Sequence, residues 1–284
     1  AYTTPQRLVS LSDLEEVEVE GNNPHIEQNP ESYWRPFQLA FILASLESVT
    51  NPDSPQRKLI DVIWMPTGGG KTEAYLGLAG FTILWQRYLD RGTSQPNNRS
   101  YTKVLMRYTL RLLTAQQLSR AASLICALEI LRRNSNGRYG SNEIRIGAWL
   151  GSKSSPNKWA EAIAKRTSLL NGDKTTTSFM LQQCPWCGAQ MGNILGKQIT
   201  GYQRVQVPGK SMFRIQAHCP DPNCEFALKV EGGKPRGIPV FEVDEDIYTS
   251  PPDFIVGTID KFARLAWEPA SQNIFGLRNG ERKF

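Results

Sequence analysis

The stretch that decides the fold of this chain is WMPTGGGKTEAY, residues 64–75. Its three consecutive glycines, Gly68, Gly69 and Gly70, give a backbone that can approach a ligand closely. Backbone N–H groups in such a loop, followed by the start of a helix, form a cradle for phosphate oxygens. Lys71 supplies a cation for the terminal phosphates, and Thr72 supplies a hydroxyl for Mg²⁺. The stretch therefore predicts a nucleotide-binding loop.

The loop departs from the strict pattern G-x-x-x-x-G-K-[ST], because Met65 stands where the first glycine belongs. The alternative interpretation is a glycine-rich turn with an exposed lysine. The context favours the nucleotide site, because the apolar run LIDVIWM (59–65) predicts a buried strand before the loop and residues 71–90 predict a helix after it. The guanine-selecting element Asn-Lys-x-Asp is not found, and TIDK (258–261) does not fit it, so ATP is favoured.

Strands and helices are predicted to alternate along the rest of the chain. Strands are expected over 103–108 and 144–151, and helices from Thr114, where TAQQ has the form of a capping box, and over 156–170. A strand followed by a helix returns at 253–267. An earlier helix begins near Ser32, with one apolar face made of Leu39, Ile42, Leu43, Leu46 and Val49. This order predicts an α/β fold with a parallel sheet that is covered on both faces.

The composition changes along the chain and suggests its domain organisation. Residues 1–31 are polar, carry two Asn/Pro turns and are expected to form a peripheral arm. The α/β domain is assigned to 32–177 and 241–284. Residues 178–240 hold four of the five cysteines and many Gly, Pro and Lys, so they are predicted to form an insertion.

Charge and hydropathy limit the possible classes of protein. The formal net charge of +6 suits a polyanionic partner without identifying one. The apolar run LGLAGFTILW (76–85) is too short to cross a bilayer, and no signal segment opens the chain. A soluble cytoplasmic protein without a membrane partner is therefore expected.

The cysteines of the predicted insertion have the spacing of a zinc site. CPWCG (184–188) and HCPDPNCEF (218–226) supply Cys184, Cys187, Cys219 and Cys224. This arrangement favours a structural four-thiolate Zn²⁺ ribbon, with His218 as an alternative ligand. A disulfide framework is the other alternative, but no secretory signal accompanies it and the cytosol is reducing. Cys126 lies in a predicted helix and is expected to be a buried structural residue.

Several blocks of the sequence resemble a known family. PTGGGKT (66–72) is similar to the phosphate loop of superfamily 2 helicases and translocases, and RPFQ (35–38), RYTLRLLTAQQ (107–117) and VGTIDKFA (256–263) follow the order of that family's motifs. The amino-acid sequence of these blocks resembles, more narrowly, that of the helicase subunits of the DISARM anti-phage system, over about residues 33–275.

The resemblance implies a RecA-like P-loop domain of an ATP-dependent DNA helicase or translocase, which acts with a partner subunit in bacterial defence. It adds Pro66 and Thr67 to the ATP site and gives Gln38 the role of reading the adenine edge. It also implies contacts to DNA from a further set of residues, Thr109, Arg111, Gln116 and Thr258.

An ATPase of this class also needs a carboxylate pair that orients Mg²⁺ and polarises the attacking water. Asp244 and Glu245 in PVFEVDEDIY (239–248) are the candidates. However, Glu242 interrupts the apolar run of the expected strand, and the pair precedes the Gly-Thr element that it should follow. We therefore expect motif II and a second RecA-like domain beyond Phe284, and we expect residues 1–284 alone to bind nucleotide without turning it over.

Two other functions remain as alternatives. A small-molecule P-loop phosphotransferase would share the loop but would not need RPFQ or RYTLRLLTAQQ. A non-catalytic DNA-binding module held together by zinc would share the cysteines and the positive charge.

Overall fold

The computed structural model describes residues 33–62, 70–91, 101–108, 111–151, 155–173, 176–194, 198–278 and 281–282. Some predictions concern residues outside these ranges, namely the arm over 1–31, Pro66, Thr67, Gly68, Gly69 and Thr109.

Helices and strands alternate through most of the described residues. The helices are α1 (Pro36–Thr50), α2 (Lys71–Asp90), α3 (Arg111–Arg133), α4 (Trp159–Leu170), α5 (Asp244–Thr249) and α6 (Ile259–Phe262). The strands are β1 (Val104–Tyr108), β2 (Ile146–Trp149), β3 (Gly192–Ile194), β4 (Gln198–Thr200), β5 (Tyr202–Gln206), β6 (Phe213–Ala217), β7 (Lys229–Glu231), β8 (Lys234–Arg236), β9 (Val240–Phe241), β10 (Phe254–Thr258), β11 (Leu277–Arg278) and β12 (Glu281–Arg282). None of the helices in these ranges has the length and apolar character that crossing a bilayer requires.

Four of these strands form one parallel sheet, in the order β1, β10, β2, β9. The register pairs Tyr108 with Thr258, and Gly257 with Trp149, so the last residues of β1, β10 and β2 lie side by side. We call this the carboxyl edge of the sheet. β10 is buried along its whole length, as expected of a central strand covered on both faces. The predicted parallel α/β architecture is confirmed.

Alternate residues of the strands face two separate cores. On one face Phe254 and Val256 pack in a core that includes Ile83 of α2 and Leu118 of α3. On the other face a smaller core is formed by Trp149, Phe241, Ile247, Ile255 and Ile274. The period of two along β10 therefore distributes its side chains between helices on opposite sides of the sheet.

The segment between α4 and β9 is a series of antiparallel hairpins, β3–β4, β5–β6 and β7–β8. Its apolar residues belong to the same core as α2 and α3. Glu242, directly after β9, accepts hydrogen bonds from the N–H of Met180 (2.5 Å), the N–H of Leu181 (3.3 Å) and the hydroxyl of Tyr202 (2.8 Å). A single buried carboxylate thus ties these hairpins to the end of a sheet strand.

A buried ion cluster lies at the opposite edge of the sheet, where β10 begins. Asp253 accepts two hydrogen bonds from the guanidinium of Arg87, at 2.9 and 2.7 Å, and lies 3.2 Å from the ammonium of Lys103. It also accepts from the N–H of Arg145 at 3.2 Å. Burial alone would raise the pKa of Asp253, but the charges of Arg87 and Lys103 outweigh burial and hold it well below its usual range.

Two sequence-based expectations differ from the structure at the level of single elements. In the predicted strand over 59–65, the described residues Leu59 to Val62 have no regular structure, and Ile60 is 90% exposed. These four residues have no partner strand among the described residues, and a strand is stable only when its backbone groups are paired. α3 begins at Arg111, so Thr114 lies inside the helix and is not its cap.

The rotation of α1 about its axis also differs from the prediction. Gln38 and Ser45 are its buried residues, whereas Leu43 is 66% exposed. The ring of Phe41 packs edge-on against Tyr75 of α2, with 5.8 Å between ring centroids. This contact and the buried Gln38 amide set the rotation, and they turn part of the predicted apolar face outward.

Candidate functional site

The last glycine of the loop has a conformation that other residues rarely adopt. Gly70 precedes α2 with a φ of 88°, in the left-handed region. A Cβ atom at this position would lie 2.7 Å from Nε2 of Gln38. Lys71 and Thr72 are the first two residues of α2. The left-handed backbone therefore favours glycine directly before the lysine and the threonine, and a side chain there would displace the Gln38 amide.

Gln38 lies against this glycine although it is far away in the sequence. Its Nε2 donates a hydrogen bond to the carbonyl oxygen of Gly70 at 2.8 Å, and its Oε1 accepts from the N–H of Arg35 at 2.7 Å. The side chain is buried. The structure thus brings the first turn of α1 to Gly70. The nitrogen of the Gln38 amide bonds to Gly70, and its oxygen bonds to the start of α1 itself.

The first turn of α2 also contacts α3. Glu73, next to Thr72, forms an ion pair with Arg120 of α3. The hydroxyl of Tyr108, at the end of β1, is held protonated because burial, followed by the neighbouring Tyr75, raises its pKa. These contacts link the helix after the loop to the helix after β1. Gln116 is exposed on α3.

The residues predicted to contact DNA come from neighbouring strand ends. Thr258 ends β10 and pairs in register with Tyr108, which directly precedes the predicted contact residue Thr109. Arg111 opens α3 two residues later. The arrangement gathers the ends of two adjacent strands at the carboxyl edge, where open α/β sheets bind their ligands.

Gly257 and Phe262 fix the shape of the carboxyl edge around Thr258. A Cβ on Gly257 would lie 3.1 Å from the carbonyl oxygen of Trp149 and 3.2 Å from the ring of Phe262. The guanidinium of Arg107 lies 5.8 Å from the centroid of the same ring. Glycine before Thr258 therefore allows α6 to pack closely on the sheet.

Asp244 and Glu245, the candidate acidic pair, are engaged in contacts within the fold. Asp244 forms an ion pair with Lys261, and Glu245 accepts a hydrogen bond from the N–H of Trp159 at the start of α4 (2.9 Å). The pair follows β9, whereas α2 contacts β1 at the other side of the sheet. Three strand spacings, roughly 14 Å, separate β9 from β1. The pair therefore lies at the side of the sheet away from the strand that α2 contacts.

Glu242 is a residue whose role the sequence pattern did not indicate. In the sequence this acid interrupts the apolar run of the predicted strand. In the structure β9 ends at Phe241, and the Glu242 carboxylate has three donors of its own. Burial raises the pKa of Glu242. The sequence signal for this role is an isolated acid directly after an apolar run. Such an acid is buried with the run, and a buried carboxylate is stable only when several donors bond to it.

The four cysteines of the two knuckles meet in space. The sulfur atoms of Cys184, Cys187, Cys219 and Cys224 all lie within 4.8 Å of one another. Two of the distances, from Cys184 to Cys224 and from Cys187 to Cys219, are 3.9 and 3.4 Å. Four thiolates around Zn²⁺, each about 2.3 Å from the metal, would lie about 3.8 Å apart. The cluster therefore fits a tetrahedral Zn²⁺ ion, and the four thiols are not joined by disulfides.

Backbone hydrogen bonds shape both knuckles. In the first, the N–H of Cys184 donates to Ala189 (2.7 Å) and the N–H of Gly188 donates back to Cys184 (2.9 Å). In the second, the N–H of Cys219 donates to the carbonyl of Phe226 (2.8 Å). His218 directs its Nδ1 at the carbonyl of Cys219, 3.0 Å away, and is not part of the sulfur cluster.

The cysteine cluster is held against α3. The hydroxyl of Ser123 donates to the carbonyl of Pro185 at 2.8 Å, and the guanidinium of Arg133 lies 5.2 Å from the centroid of Phe226. Cys126 is on the same helix and is fully buried, which raises the pKa of its thiol. The predicted structural role of Cys126 agrees with this position, and the cysteine cluster is tied to the helix that follows β1.

Comparison with known proteins connects the chain to the DISARM system. No protein-family model matches the chain. The DISARM protein DrmA of Bacillus paralicheniformis is 35% identical to the chain over 255 residues, which is 87% of this chain. The chain spans 21% of the length of that relative. The resemblance to the DISARM system that the motifs predicted is therefore confirmed as a similarity to DrmA over most of this chain.

Proposed function

We propose that this chain is the ATP-binding part of a DNA helicase or translocase that works in bacterial anti-phage defence. The observation that carries the proposal is the similarity to DrmA over most of the chain. The defence role is proposed from that relative. The partner subunit is proposed from the resemblance of the motifs to DISARM helicase subunits, and the cytoplasmic location is proposed from the sequence alone. The motor activity rests on the residues discussed next.

ATP and Mg²⁺ would bind at the start of α2. Lys71 would contact the terminal phosphates, Thr72 would ligate Mg²⁺, and Gly68 to Gly70 would cradle the phosphate oxygens. Pro66 and Thr67 would lead into this cradle. Gln38 supports the assignment because its amide lies against Gly70, directly before Lys71.

DNA would bind across the carboxyl edge. Thr258 and the segment from Thr109 to Arg111 follow neighbouring strands, so one backbone phosphate track could meet both. Gln116 is exposed on the helix that continues from this segment. Hydroxyls, helix starts and arginine are the groups that commonly contact DNA phosphates.

Zn²⁺ would have a structural role. The four thiolates fit the ion, and their knuckles pack against α3, so the metal would stabilise the position of the hairpins on the domain. ATP hydrolysis needs a carboxylate pair in addition to Lys71 and Thr72. Because Asp244 and Glu245 are engaged with Lys261 and α4, we propose that the catalytic pair lies outside residues 1–284.

The proposal is tested by DNA-stimulated ATP hydrolysis in the full-length protein, with Lys71→Ala and the control Lys58→Ala. Lys58 is exposed and lies outside the proposed site. We expect Lys71→Ala to abolish stimulated hydrolysis and Lys58→Ala to retain it. Full defence activity with Lys71→Ala would favour the zinc-held DNA-binding module, and DNA-independent turnover with a soluble acceptor would favour a phosphotransferase.

A further inference from the structure

A buried lysine follows the proposed DNA-contact residue Thr258 by three residues, on the short helix α6. Lys261 is 1% exposed, forms an ion pair with Asp244 and donates a hydrogen bond to Oδ1 of Asn157 at 3.1 Å. Asn157 follows β2, Asp244 follows β9, and Lys261 follows β10. One ammonium group therefore joins three segments that leave the carboxyl edge of the sheet.

The network extends into the sheet itself. The indole N–H of Trp149, the last residue of β2, donates to the hydroxyl of Tyr248 at 2.9 Å. That hydroxyl lies 3.4 Å from Oδ2 of Asp244 and donates to it. Burial, with the charge of Asp244 in addition, raises the pKa of Tyr248, so the phenol remains a donor. The partner of Lys261 is thus itself held in place by an aromatic pair at the strand end.

Thr258 lies three residues before Lys261, at the start of α6, and is 4% exposed. It is the N-cap residue of α6, yet its side chain makes no capping hydrogen bond. Its hydroxyl is therefore not used to start the helix, and the short α6 that carries Lys261 is fixed by the lysine and by the packing of Phe262 on Gly257.

We propose that Lys261 is a positioning residue for nucleic-acid binding: its buried contacts with Asp244 and Asn157 hold the Thr258 hydroxyl where a backbone phosphate of single-stranded DNA can accept its hydrogen bond. This inference rests on the proposed function. Stability alone is a weak reason for such a pair, because a buried ion pair can often be replaced by uncharged residues without loss of stability. The same fact makes the role testable, since both charges can be removed together.

The experiment measures the affinity of the chain for a fluorescein-labelled single-stranded oligonucleotide by anisotropy at fixed salt. The variants are Thr258→Val, the charge-free pair Lys261→Met with Asp244→Asn, and the triple combination. Thr258→Val and the charge-free pair are each expected to weaken binding about tenfold, because each loses one hydrogen bond to a charged phosphate. The triple variant is expected to bind no more weakly than the charge-free pair, because both changes remove the same contact.

A matched control comes from the other edge of the same sheet. Asp253→Asn breaks the buried cluster with Arg87 and Lys103 and lies away from the carboxyl edge. It is expected to destabilise the chain and to leave the oligonucleotide affinity unchanged. Circular dichroism and the melting temperature identify the folded variants. If Lys261 had only a structural role, Asp253→Asn and the charge-free pair would change the oligonucleotide affinity to the same extent.

The outcomes separate this inference from the proposed function. Two results would overturn this inference and leave the proposed function standing. One is wild-type affinity in the folded charge-free pair. The other is a loss of about a hundredfold in the triple variant, which would mean that the two changes act independently. If the charge-free pair does not fold, Asn157→Ala is the test variant, because it removes one acceptor of Lys261 and keeps the ion pair. Unchanged oligonucleotide affinity of Asn157→Ala would then overturn the inference. No binding by the wild-type chain, or no effect of Thr258→Val, would overturn the proposed DNA contact and this inference together.

Discussion

The amide nitrogen of Gln38 donates a hydrogen bond to the carbonyl oxygen of Gly70 at 2.8 Å. The two residues belong to the first turn of α1 and to the last position before α2. Because Gly70 carries a left-handed backbone, its carbonyl has a fixed direction, and the buried amide of Gln38 matches that direction. The start of α1 and the start of α2 are therefore held together at this contact.

The Gln38–Gly70 contact is tested by Gln38→Glu. A carboxylate has the shape of the amide but cannot donate to the Gly70 carbonyl, so two acceptors would face each other in a buried position. We expect a loss of about 1–3 kcal/mol in the free energy of unfolding. Chemical denaturation measures it, with Gln56→Glu on an exposed turn as the control. Equal stability of the two variants would contradict the contact.

Gly70→Ala tests the requirement for glycine before Lys71. The left-handed conformation costs an alanine about 1–2 kcal/mol, and the new Cβ would also meet Nε2 of Gln38. Gly137→Ala is a matched control, because Gly137 has a φ of 82° and a Cβ added there would have nothing within 4 Å. We expect Gly70→Ala to be the more destabilising change. The proposal would fail if thermal denaturation ranked the two variants in the opposite order.

Acid sensitivity is expected to arise in part from Asp253. Its pKa is lower in the folded chain than in the unfolded chain, where an aspartate has a pKa of about 3.9. The carboxylate therefore contributes stability above that unfolded value, and this contribution is lost as pH falls toward the folded pKa. Asp253→Asn should cost about 3–5 kcal/mol near neutral pH, because Arg87 and Lys103 lose their buried partner.

The pH dependence gives the check on that prediction. Unfolding free energies of the wild type and Asp253→Asn, measured from pH 7 downward, should converge as the carboxylate becomes protonated. Asp53→Asn, on an exposed turn, is the control and should follow the wild type. A gap between the wild type and Asp253→Asn that stays constant down to pH 3 would contradict the assignment.

Metal content tests the cysteine cluster. We expect a single Zn²⁺ per purified chain by elemental analysis, and its loss with Cys184→Ser. Cys126→Ala should keep the metal, because Cys126 lies outside the sulfur cluster. Since the hairpins share their core with α2 and α3, chelation should lower the melting temperature of the whole domain. Full zinc content in Cys184→Ser would rule out the tetrathiolate site.

The parallel sheet could be predicted from the sequence because its strands are short apolar runs separated by helical patterns. β10 and the helices α2 and α4 follow from such local signals, and the knuckle cysteines follow from their spacing. The start of α3 could not be read in this way, since TAQQ has capping residues but the helix already begins at Arg111. A local cap signal does not exclude an earlier start.

Contacts between distant residues were beyond the reach of sequence patterns. The apolar face expected on α1 assumed that hydrophobic residues alone orient a helix, whereas the polar contact from Gln38 to Gly70 sets its rotation. Glu242 and Lys261 look like surface residues in the sequence, yet both are buried and paired with donors or acceptors from other segments. Such pairs depend on the topology of the sheet and carry no periodic signal.

Equilibrium binding of Mg²⁺ and ATP to this chain tests most directly whether Gly70, Lys71 and Thr72 form a nucleotide site. Isothermal titration calorimetry on the wild type, Lys71→Ala and the control Lys58→Ala measures it. We predict saturable binding by the wild type and by Lys58→Ala, and an affinity at least about tenfold lower for Lys71→Ala, as expected when a charged phosphate contact is lost. Equal binding by Lys71→Ala, or no binding by the wild type, would contradict the assignment.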